Sequence, residues 1–290
     1  MEHRFEYLTS VQIGEQVARK PLLIMGIGTI EEHGAHLPTG TDLFITQRFM
    51  DDFAAKLDAE TDIPFLSLPA IWTGYSGAEM QRWPGTIRMR TRTVMDMMRE
   101  IIGSLCEMGF EKILVLNGHG HHTELLRVVA REIADDHKVY CAVSNFLYLG
   151  AAEYNAVRQG GAGSSIHGGE DETAVMLHYD YDIDTSLYTD VDHVNHHTPY
   201  IAGDNFIGSS KVFWSTWHVH KSHTGLLGDP TPATAEAGRV LIEACLKHLT
   251  EFTKEYYAGP KGAAFPPSPL VGPTPCIHRN SGGRSVPGPG

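Results

Sequence analysis

The sequence predicts an α/β protein in which helices cover both faces of a mainly parallel central sheet. Short continuous apolar runs alternate along the chain with longer segments whose apolar residues recur at helical spacing. Strands that alternate with helices in this way pair in parallel, and the connecting helices cover the faces of the sheet. We therefore predict a three-layer α/β/α architecture, with a ligand site at the carboxyl ends of the strands.

These two patterns predict the individual strands and helices. Continuous apolar runs predict strands at 22–28, 65–68, 112–116 and 139–145. Helical spacing of apolar residues predicts helices at 43–57, 91–108, 123–136, 174–179 and about 233–257. Asp42 precedes the first of these helices, where a side-chain oxygen can cap the backbone N–H groups of the first turn.

The composition of the chain argues against several functional classes. The chain carries 23 basic and 35 acidic residues, and this net charge of −12 argues against a nucleic-acid partner, because such binding uses clustered Lys and Arg. Neither a signal-peptide pattern nor an apolar run of membrane length is present. The four cysteines lack CxxC spacing and are typical of free thiols in a reducing compartment. We expect a cytoplasmic protein with no membrane contact, and the 17 histidines favour metal chemistry.

A polar cluster directly follows the first predicted strand, in the segment GTIEEHGAHLPTGTD at 28–42. Carboxylate and imidazole side chains are concentrated there: Glu31, Glu32, His33, His36 and Asp42. These groups are the ligands of zinc, manganese and iron. Residues two apart on an extended segment point to the same side, so Glu31 and His33 can face one site. The alternative is a solvated polar loop, which is disfavoured for so dense a cluster directly after a buried strand.

A second cluster, NGHGHH at 117–122, follows the third predicted strand. Its glycines allow the backbone to turn tightly and to approach a ligand closely. His119 is the first side chain positioned to project from the strand end. His121 is a ligand or supports one, whereas His122 is better explained as the start of the following helix.

A third cluster, HGGEDET at 167–173, opens a helix after the segment 159–165, which we predict to be flexible. Acidic side chains in the first turn of a helix are favoured by the helix dipole, which accounts for at least one of Glu170, Asp171 and Glu172. His167 and Glu172 lie on either side of a Gly-Gly hinge, so both can face one cavity.

Together these motifs resemble the creatininase (creatinine amidohydrolase) family. The three clusters occur in the family's order, and the segments PGT at 84–86 and GLLGDP at 225–230 resemble two further signatures. The resemblance covers roughly residues 8–255. It implies an α/β/α metallohydrolase, commonly a homo-oligomer and often a hexamer, with two divalent metal ions beside a bridging water.

The resemblance also implies a set of metal ligands. Four of them match the family's motifs residue by residue: Glu31, His33, Asp42 and His119. Creatininase itself has a metal-binding Glu where this chain has His121, whereas relatives that lack it use the Glu of the ET pair, here Glu172. The fifth ligand is therefore predicted to be Glu172, with His121 as the alternative. This departure from creatininase weakens the expectation that creatinine is the substrate.

The implied chemistry is hydrolysis by a water activated between two divalent ions, Zn, Mn or Fe. His167 matches the region of the family's catalytic His and can shuttle a proton to the leaving group, with Glu170 as the alternative carrier. We predict hydrolysis of a small cyclic amide or a related C–N bond other than a peptide bond. The alternatives are deformylation, peptide cleavage or ring opening of a cyclic ketone on the same scaffold, or a metal-binding protein without catalysis.

The composition changes after the last predicted helix. Residues 259–290 are rich in Pro and Gly and poor in apolar side chains, which predicts an extended or disordered tail. We therefore expect one metallohydrolase domain over residues 1–258, followed by this C-terminal tail.

Overall fold

The computed structural model of the protein describes residues 2–214 and 222–259. Within these ranges the strands are β1 (Leu22–Ile27), β2 (Phe65–Ser67), β3 (Lys112–Asn117) and β4 (Tyr140–Ser144). The α-helices are α1 (Ser10–Val17), α2 (Thr41–Glu60), α3 (Thr91–Glu107), α4 (Thr123–His137), α5 (Ala151–Val157), α6 (Glu170–His178) and α7 (Ala235–Ala258). The predicted α/β class is confirmed.

These strands form one parallel sheet in the order β2–β1–β3–β4. β1 and β3 are its central pair, and their register places Ile27 opposite Asn117 at the carboxyl ends. The polar clusters that follow these two strands therefore begin side by side at one edge of the sheet. This edge is where parallel α/β folds bind their ligands.

Alternate residues of a strand point to opposite faces of the sheet and pack against different helices. Leu22 and Ile24 of β1 belong to the core shared with α2, α6 and α7. Leu23 and Met25 belong to the core shared with α3 and α4. All four side chains are at most 1% exposed, and full burial of one such side chain stabilises the fold by about 1.5–3 kcal/mol. The three predicted layers are confirmed by these two cores.

Two helix boundaries differ from the prediction at residues that the sequence analysis placed in the site. α2 begins at Thr41 and its N-cap residue is Gly40, so the prediction that Asp42 caps this helix is wrong. Asp42 lies inside the first turn instead. α6 begins at Glu170, earlier than the predicted start at Ala174, because the acidic residues of the third cluster form its first turn. In both helices carboxylates therefore lie near the positive end of the helix dipole.

The helices α1 and α5 were not predicted from the apolar pattern. α1 begins with a capping box in which Thr9 and Gln12 exchange side-chain and backbone hydrogen bonds, and it buries none of its residues. α5 has only seven residues, which is too short for helical periodicity to be recognised reliably.

The predicted tail at 259–290 lies outside the described residues, except for Gly259. Within the described ranges, no helix is both long enough and apolar enough to cross a membrane.

Candidate metal centre

Close packing between the start of α2 and the ends of β1 and β3 positions the centre. A β-carbon at Gly28 would lie 2.6 Å from the Cα of Leu43, and one at Gly118 would overlap the Thr46 hydroxyl. Only glycine allows the helix to approach both strand ends this closely. As a result, Asp42 lies between the segments that follow the two strands.

The Asp42 carboxylate bridges two histidines from different segments. Its Oδ1 lies 3.4 Å from Nε2 of His33, and its Oδ2 lies 2.8 Å from Nδ1 of His119. Asp42 is 1% exposed. Burial raises the pKa of this carboxyl, but the charges of His119 and His33 outweigh that effect and the pKa is lowered. Asp42 is therefore an ionised group with one oxygen directed to each of the two histidines.

The backbone fixes which nitrogen of His33 faces the cluster. Nδ1 of His33 donates to the Glu31 carbonyl oxygen at 2.9 Å. Because a carbonyl oxygen only accepts, Nδ1 carries a proton, and in the neutral ring Nε2 carries the lone pair. Nε2 faces Asp42 and lies 3.6 Å from Oε2 of Glu172. Metal-ligating histidines typically have this arrangement, with the second ring nitrogen held by a carbonyl or carboxylate oxygen.

Acidic neighbours also surround His119. Its Nε2 lies 3.4 Å from Oε2 of Glu31. Burial lowers the pKa of His119, but Asp42 and Glu31 outweigh this and raise it to about 9. The pKa of His33 is raised well above its usual value because Asp42 and Glu172 outweigh its burial. Both imidazoles thus lie where a positive charge is strongly stabilised, by a proton or by a metal cation that displaces it.

The polar atoms of this cluster fit metal ions. Both carboxylate oxygens of Glu31 and Nε2 of His33 and His119 are buried without a hydrogen-bond partner among the described residues. A buried carboxylate without a donor is costly unless a cation compensates it. Two groups have ligand atoms within 4.8 Å of one another: Glu31, His119 and His121, and His33, His167 and Glu172. Asp42 contacts a member of each group, as a bridging ligand would.

Both alternatives for the fifth ligand reach the centre. Glu172 lies near His33, accepts a hydrogen bond from the backbone N–H of Gly168 at 2.6 Å, and has a lowered pKa because His33 outweighs its burial. The His121 ring lies 5.2 Å from the His119 ring, and burial together with His119 lowers the pKa of His121 to about 3. The two residues lie in different groups, so each can serve a different ion.

His167 is tied to the first cluster through one ring nitrogen. Its Nε2 donates to the Glu32 carbonyl oxygen at 2.8 Å, so Nδ1 carries the lone pair in the neutral ring. Nδ1 lies 3.6 Å from Oε1 of Glu31. Burial and the neighbouring His33 lower the pKa of His167, but Glu32, Glu31 and Glu172 outweigh them and raise it. The structure therefore brings the predicted proton carrier to the edge of the predicted ligands.

A cavity of about 410 Å³ opens onto the cluster. Besides the residues named in the sequence motifs, its wall includes Asn145, Leu147, Tyr148, Ile166, Asn205, Phe213 and Leu227. Asn145 directly follows β4, so the strand-end rule could have identified it. Asn205 and Phe213 come from the segment 187–224, which has no periodicity. The aromatic residues of this segment, including Phe213, predicted that it borders the pocket or a subunit contact, whereas no pattern pointed to Asn205.

A family model described as "Creatininase: Creatinine amidohydrolase" matches residues 6–253. The chain belongs to the creatininase family. It is accordingly a hydrolase, as the sequence predicted, and the family assignment made from the three motifs is confirmed.

Curated relatives in this family have three different named activities. The 3-dehydro-scyllo-inosose hydrolase of Thermotoga maritima is 25% identical over 93% of this chain and 89% of its own length. The mycofactocin precursor peptide peptidase of Mycobacterium tuberculosis is 27% identical over 84% of this chain and 91% of its own. The creatinine amidohydrolase of Pseudomonas putida is 22% identical over 87% and 94%, respectively.

Solved creatininase structures share the fold of this chain. A manganese creatininase superposes with a TM-score of 0.67 at 21% identity, covering 88% of this chain and 98% of the other. A mutant creatininase of the Zn–Zn type gives a TM-score of 0.68 at 20% identity over the same shares. The predicted creatininase-like fold is confirmed, and these neighbours bind Mn or Zn.

In this creatininase-family chain, Glu170 is held away from the cavity. Its carboxylate is fully buried and accepts hydrogen bonds from the backbone N–H groups of Gln159 and Gly160, at 2.8 and 3.0 Å, and from the Ser164 hydroxyl at 2.9 Å. These bonds fasten the loop before α6. The prediction that 159–165 is flexible is wrong, because a buried carboxylate organises the segment.

The remaining histidines of the first two motifs support the backbone. His122 precedes α4, as expected, and its Nε2 accepts a hydrogen bond from the Tyr75 N–H at 2.9 Å. His36 is buried, and its Nε2 lies 2.9 Å from the hydroxyl of Thr173 in α6. His36 therefore links the first motif to the helix that carries Glu172.

Proposed function

We propose that this protein is a metal-dependent amidohydrolase that opens a small cyclic amide or cleaves a related C–N bond. The observation that carries the proposal is the placement of Asp42 between two groups of buried ligand atoms. One carboxylate that reaches two such groups favours a dinuclear centre. We expect the ions to be Zn, Mn or Fe, because mixed imidazole and carboxylate ligation suits each of them.

The chain supplies distinct roles around that centre. Glu31 and His119 would hold one ion, His33 and Glu172 the other, and Asp42 would hold both. When bound, two divalent cations polarise a substrate carbonyl and lower the pKa of a water molecule. Five protein ligands leave coordination positions open for substrate and water, as a catalytic site requires.

His167 would transfer the proton in this reaction. The hydrogen bond from its Nε2 to the Glu32 carbonyl oxygen orients the ring and leaves Nδ1 facing the ligand cluster. Nδ1 can take the proton that the attacking water loses and deliver it to the leaving nitrogen, which leaves poorly as an anion. Glu170 is disfavoured as the carrier because its carboxylate is already saturated by backbone and hydroxyl donors.

Ring opening of a cyclic ketone is the second candidate. It is favoured by one observation: a relative aligned over 93% of this chain is named a 3-dehydro-scyllo-inosose hydrolase. The same residues would serve this reaction, except that His167 would deliver its proton to a carbon atom.

One experiment separates these possibilities. Metal content is measured on protein purified without chelator, and turnover of cyclic amides, formylated amines, a short peptide and a cyclic ketone is followed by mass spectrometry of the products. We expect bound divalent metal and an opened cyclic amide, with activity lost on chelation and restored by Zn or Mn. Turnover of the ketone alone would favour the second candidate. Full metal content without turnover of any class would indicate a metal-binding protein without catalysis.

We also propose that the chain forms a homo-oligomer, such as a hexamer. The segment 191–214 exposes large apolar side chains, which commonly mark interaction surfaces: Val191, Tyr200, Val212, Phe213 and Trp214. Light scattering on the purified protein tests this proposal, and a monomeric mass would contradict it.

A further inference from the structure

The loop that carries Asn205 is fixed from its N-terminal side by a buried ion pair. Nη1 of Arg158 contacts both carboxylate oxygens of Asp204, at 3.0 and 3.1 Å, and the two side chains are 6% and 0% exposed. Asp204 also accepts hydrogen bonds from the N–H groups of Gly163 and Phe206, each at 2.9 Å. A buried pair with these additional donors holds its geometry tightly.

The same loop is fixed from its C-terminal side. The Phe206 carbonyl oxygen accepts a hydrogen bond from Nδ2 of Asn155 at 2.6 Å. The Phe206 ring packs against the rings of Tyr154 and Tyr148, at centroid distances of 4.7 and 5.9 Å. Asn205 therefore lies between two anchored neighbours.

Asn205 itself is held in one orientation. Its backbone N–H donates to the Ser165 carbonyl oxygen at 2.8 Å, and its side-chain Nδ2 donates to the Ile166 carbonyl oxygen at 2.9 Å. The flipped amide would place two oxygens against each other, so the Ile166 carbonyl determines which end is nitrogen. Oδ1 is the opposite end, and it makes no hydrogen bond within the described part of the chain.

The Asn205 amide lies in the wall of the cavity that opens onto the candidate metal centre. Asn205 lines the same cavity as Glu31, His119 and His167. Its partner Ile166 directly precedes His167, so the amide and the proton carrier are held by one segment. Rigid placement of a side-chain amide on the wall of a small cavity is one way in which binding sites select the orientation of a ligand.

We propose that Asn205 is a specificity-determining residue whose Oδ1 accepts a hydrogen bond from an N–H or O–H group of the substrate. This inference rests on the proposed function, since it concerns the substrate of the same centre. It defines the substrate class as a small ring compound with a hydrogen-bond donor away from the bond that is cleaved. A compound without that donor would leave the acceptor unpaired on binding, which weakens its affinity.

Two probes that differ only in one donor test this proposal. Hydantoin and 1-methylhydantoin share the same cleavable ring amide, but the second compound has a methyl group in place of one ring N–H. Binding of each to metal-replete protein is measured by calorimetry, and KM and kcat are measured where turnover occurs. We expect the wild-type protein to bind hydantoin about tenfold more tightly, with the difference in Kd and KM rather than in kcat.

Two variants test whether the preference for hydantoin depends on the Asn205 side-chain amide. Asn205→Leu keeps the size of the side chain and removes both hydrogen-bonding ends, so it should bind the two probes equally. Asn155→Leu is the matched control. It removes the hydrogen bond to Phe206, but Asn155 does not line the cavity, and Asn205 keeps its own hydrogen bonds to Ser165 and Ile166. This control should retain the preference for hydantoin. Metal content is measured on every variant, and Asn205→Ala replaces Asn205→Leu if the latter does not fold.

Equal binding of the probes to the wild-type protein, or a tenfold preference that survives loss of the Asn205 amide, would overturn the assignment while leaving the proposed function intact. If neither probe bound to metal-replete wild-type protein, the cyclic-amide function and this inference would both be overturned.

Discussion

The candidate metal centre has two halves that are built by different means. The first half, which we call the strand-end half, consists of Glu31, His33, Asp42 and His119. These residues follow the central strands β1 and β3 or lie in the first turn of α2. The second half, the loop half, consists of His167 and Glu172, which come from the segment before α6 and from its first turn. The two halves meet at the contact between His33 and Glu172.

The halves differ in what determines their geometry. In the strand-end half, the pairing of Ile27 with Asn117 brings the two motifs together as soon as the sheet forms. In the loop half, positioning depends on contacts outside the motif. The preceding loop holds the buried Glu170 carboxylate, and His167 exchanges backbone hydrogen bonds with the distant Leu227. We infer that the strand-end half provides the scaffold for the ions and that the loop half provides the proton carrier and completes the ligand set.

The largest predicted effect that separates the halves is that of His167→Ala. This variant should retain its metal, because the strand-end half is intact, but lose about 10²–10⁴-fold in turnover, as is typical for loss of a general acid or base. Turnover and metal content are measured on the same preparation. His193→Ala is the matched control, because His193 also donates to a loop carbonyl, that of Ala162, but does not line the cavity. Near-normal turnover in metal-replete His167→Ala would remove His167 from the mechanism.

The second prediction concerns the ligand that the loop half contributes. Glu172→Gln should lower metal content more than His121→Ala does, because Glu172 is the partner of His33 for one ion. We expect loss of about one of two ions in the first variant. Elemental analysis of both variants, purified in parallel, tests this order. A larger loss in His121→Ala would make His121 the fifth ligand.

The third prediction tests whether Glu170 is an anchor. Glu170→Gln places an amide among three donors and should lower the free energy of unfolding by about 1–3 kcal/mol, while metal content is retained. Denaturant unfolding measures the loss. Glu236→Gln is a suitable control, since Glu236 also lies in the first turn of its helix but its side chain is 67% exposed. A Glu170→Gln variant with normal stability but no turnover would instead support a catalytic role.

Deletion of the C-terminal tail should have the smallest effect on the candidate centre. Removal of the residues after Gly259 should leave metal content unchanged, because the tail offers too little apolar surface to contribute to a core. Both halves of the centre lie within 1–258, the proposed domain. Loss of soluble yield on truncation would show that the tail is a structural arm.

The sequence allowed the strand-end half to be predicted because its signals are local. A continuous apolar run identifies β1, and the residues immediately after it must lie at the edge of the sheet. The family's motif predicted Asp42 as a ligand, although its helix begins two residues earlier than a cap at Asp42 would require. The close approach of α2 to the two strand ends requires glycine at Gly28 and Gly118. This requirement could be recognised only from the distances in the structure.

The loop half could be predicted only in part, because its contacts join segments that are far apart in sequence. The HGGEDET motif pointed to His167 and Glu172, but the three neighbouring carboxylates look alike in sequence. A helix rotates by about 100° per residue, so Glu170 faces the preceding loop while Glu172 faces His33. Asn205 could not have been found, because its orientation depends on Ile166 and on the Arg158–Asp204 pair.

The metal content of Asp42→Ala tests the central claim most directly. Asp42 contacts both His33 and His119, so the account predicts that this variant loses both ions, from about two per subunit to none. Asp51→Ala, an exposed aspartate in the same helix, should keep both and serves as the control. Elemental analysis that found full metal content in Asp42→Ala, or the loss of only one ion, would contradict a shared bridging carboxylate.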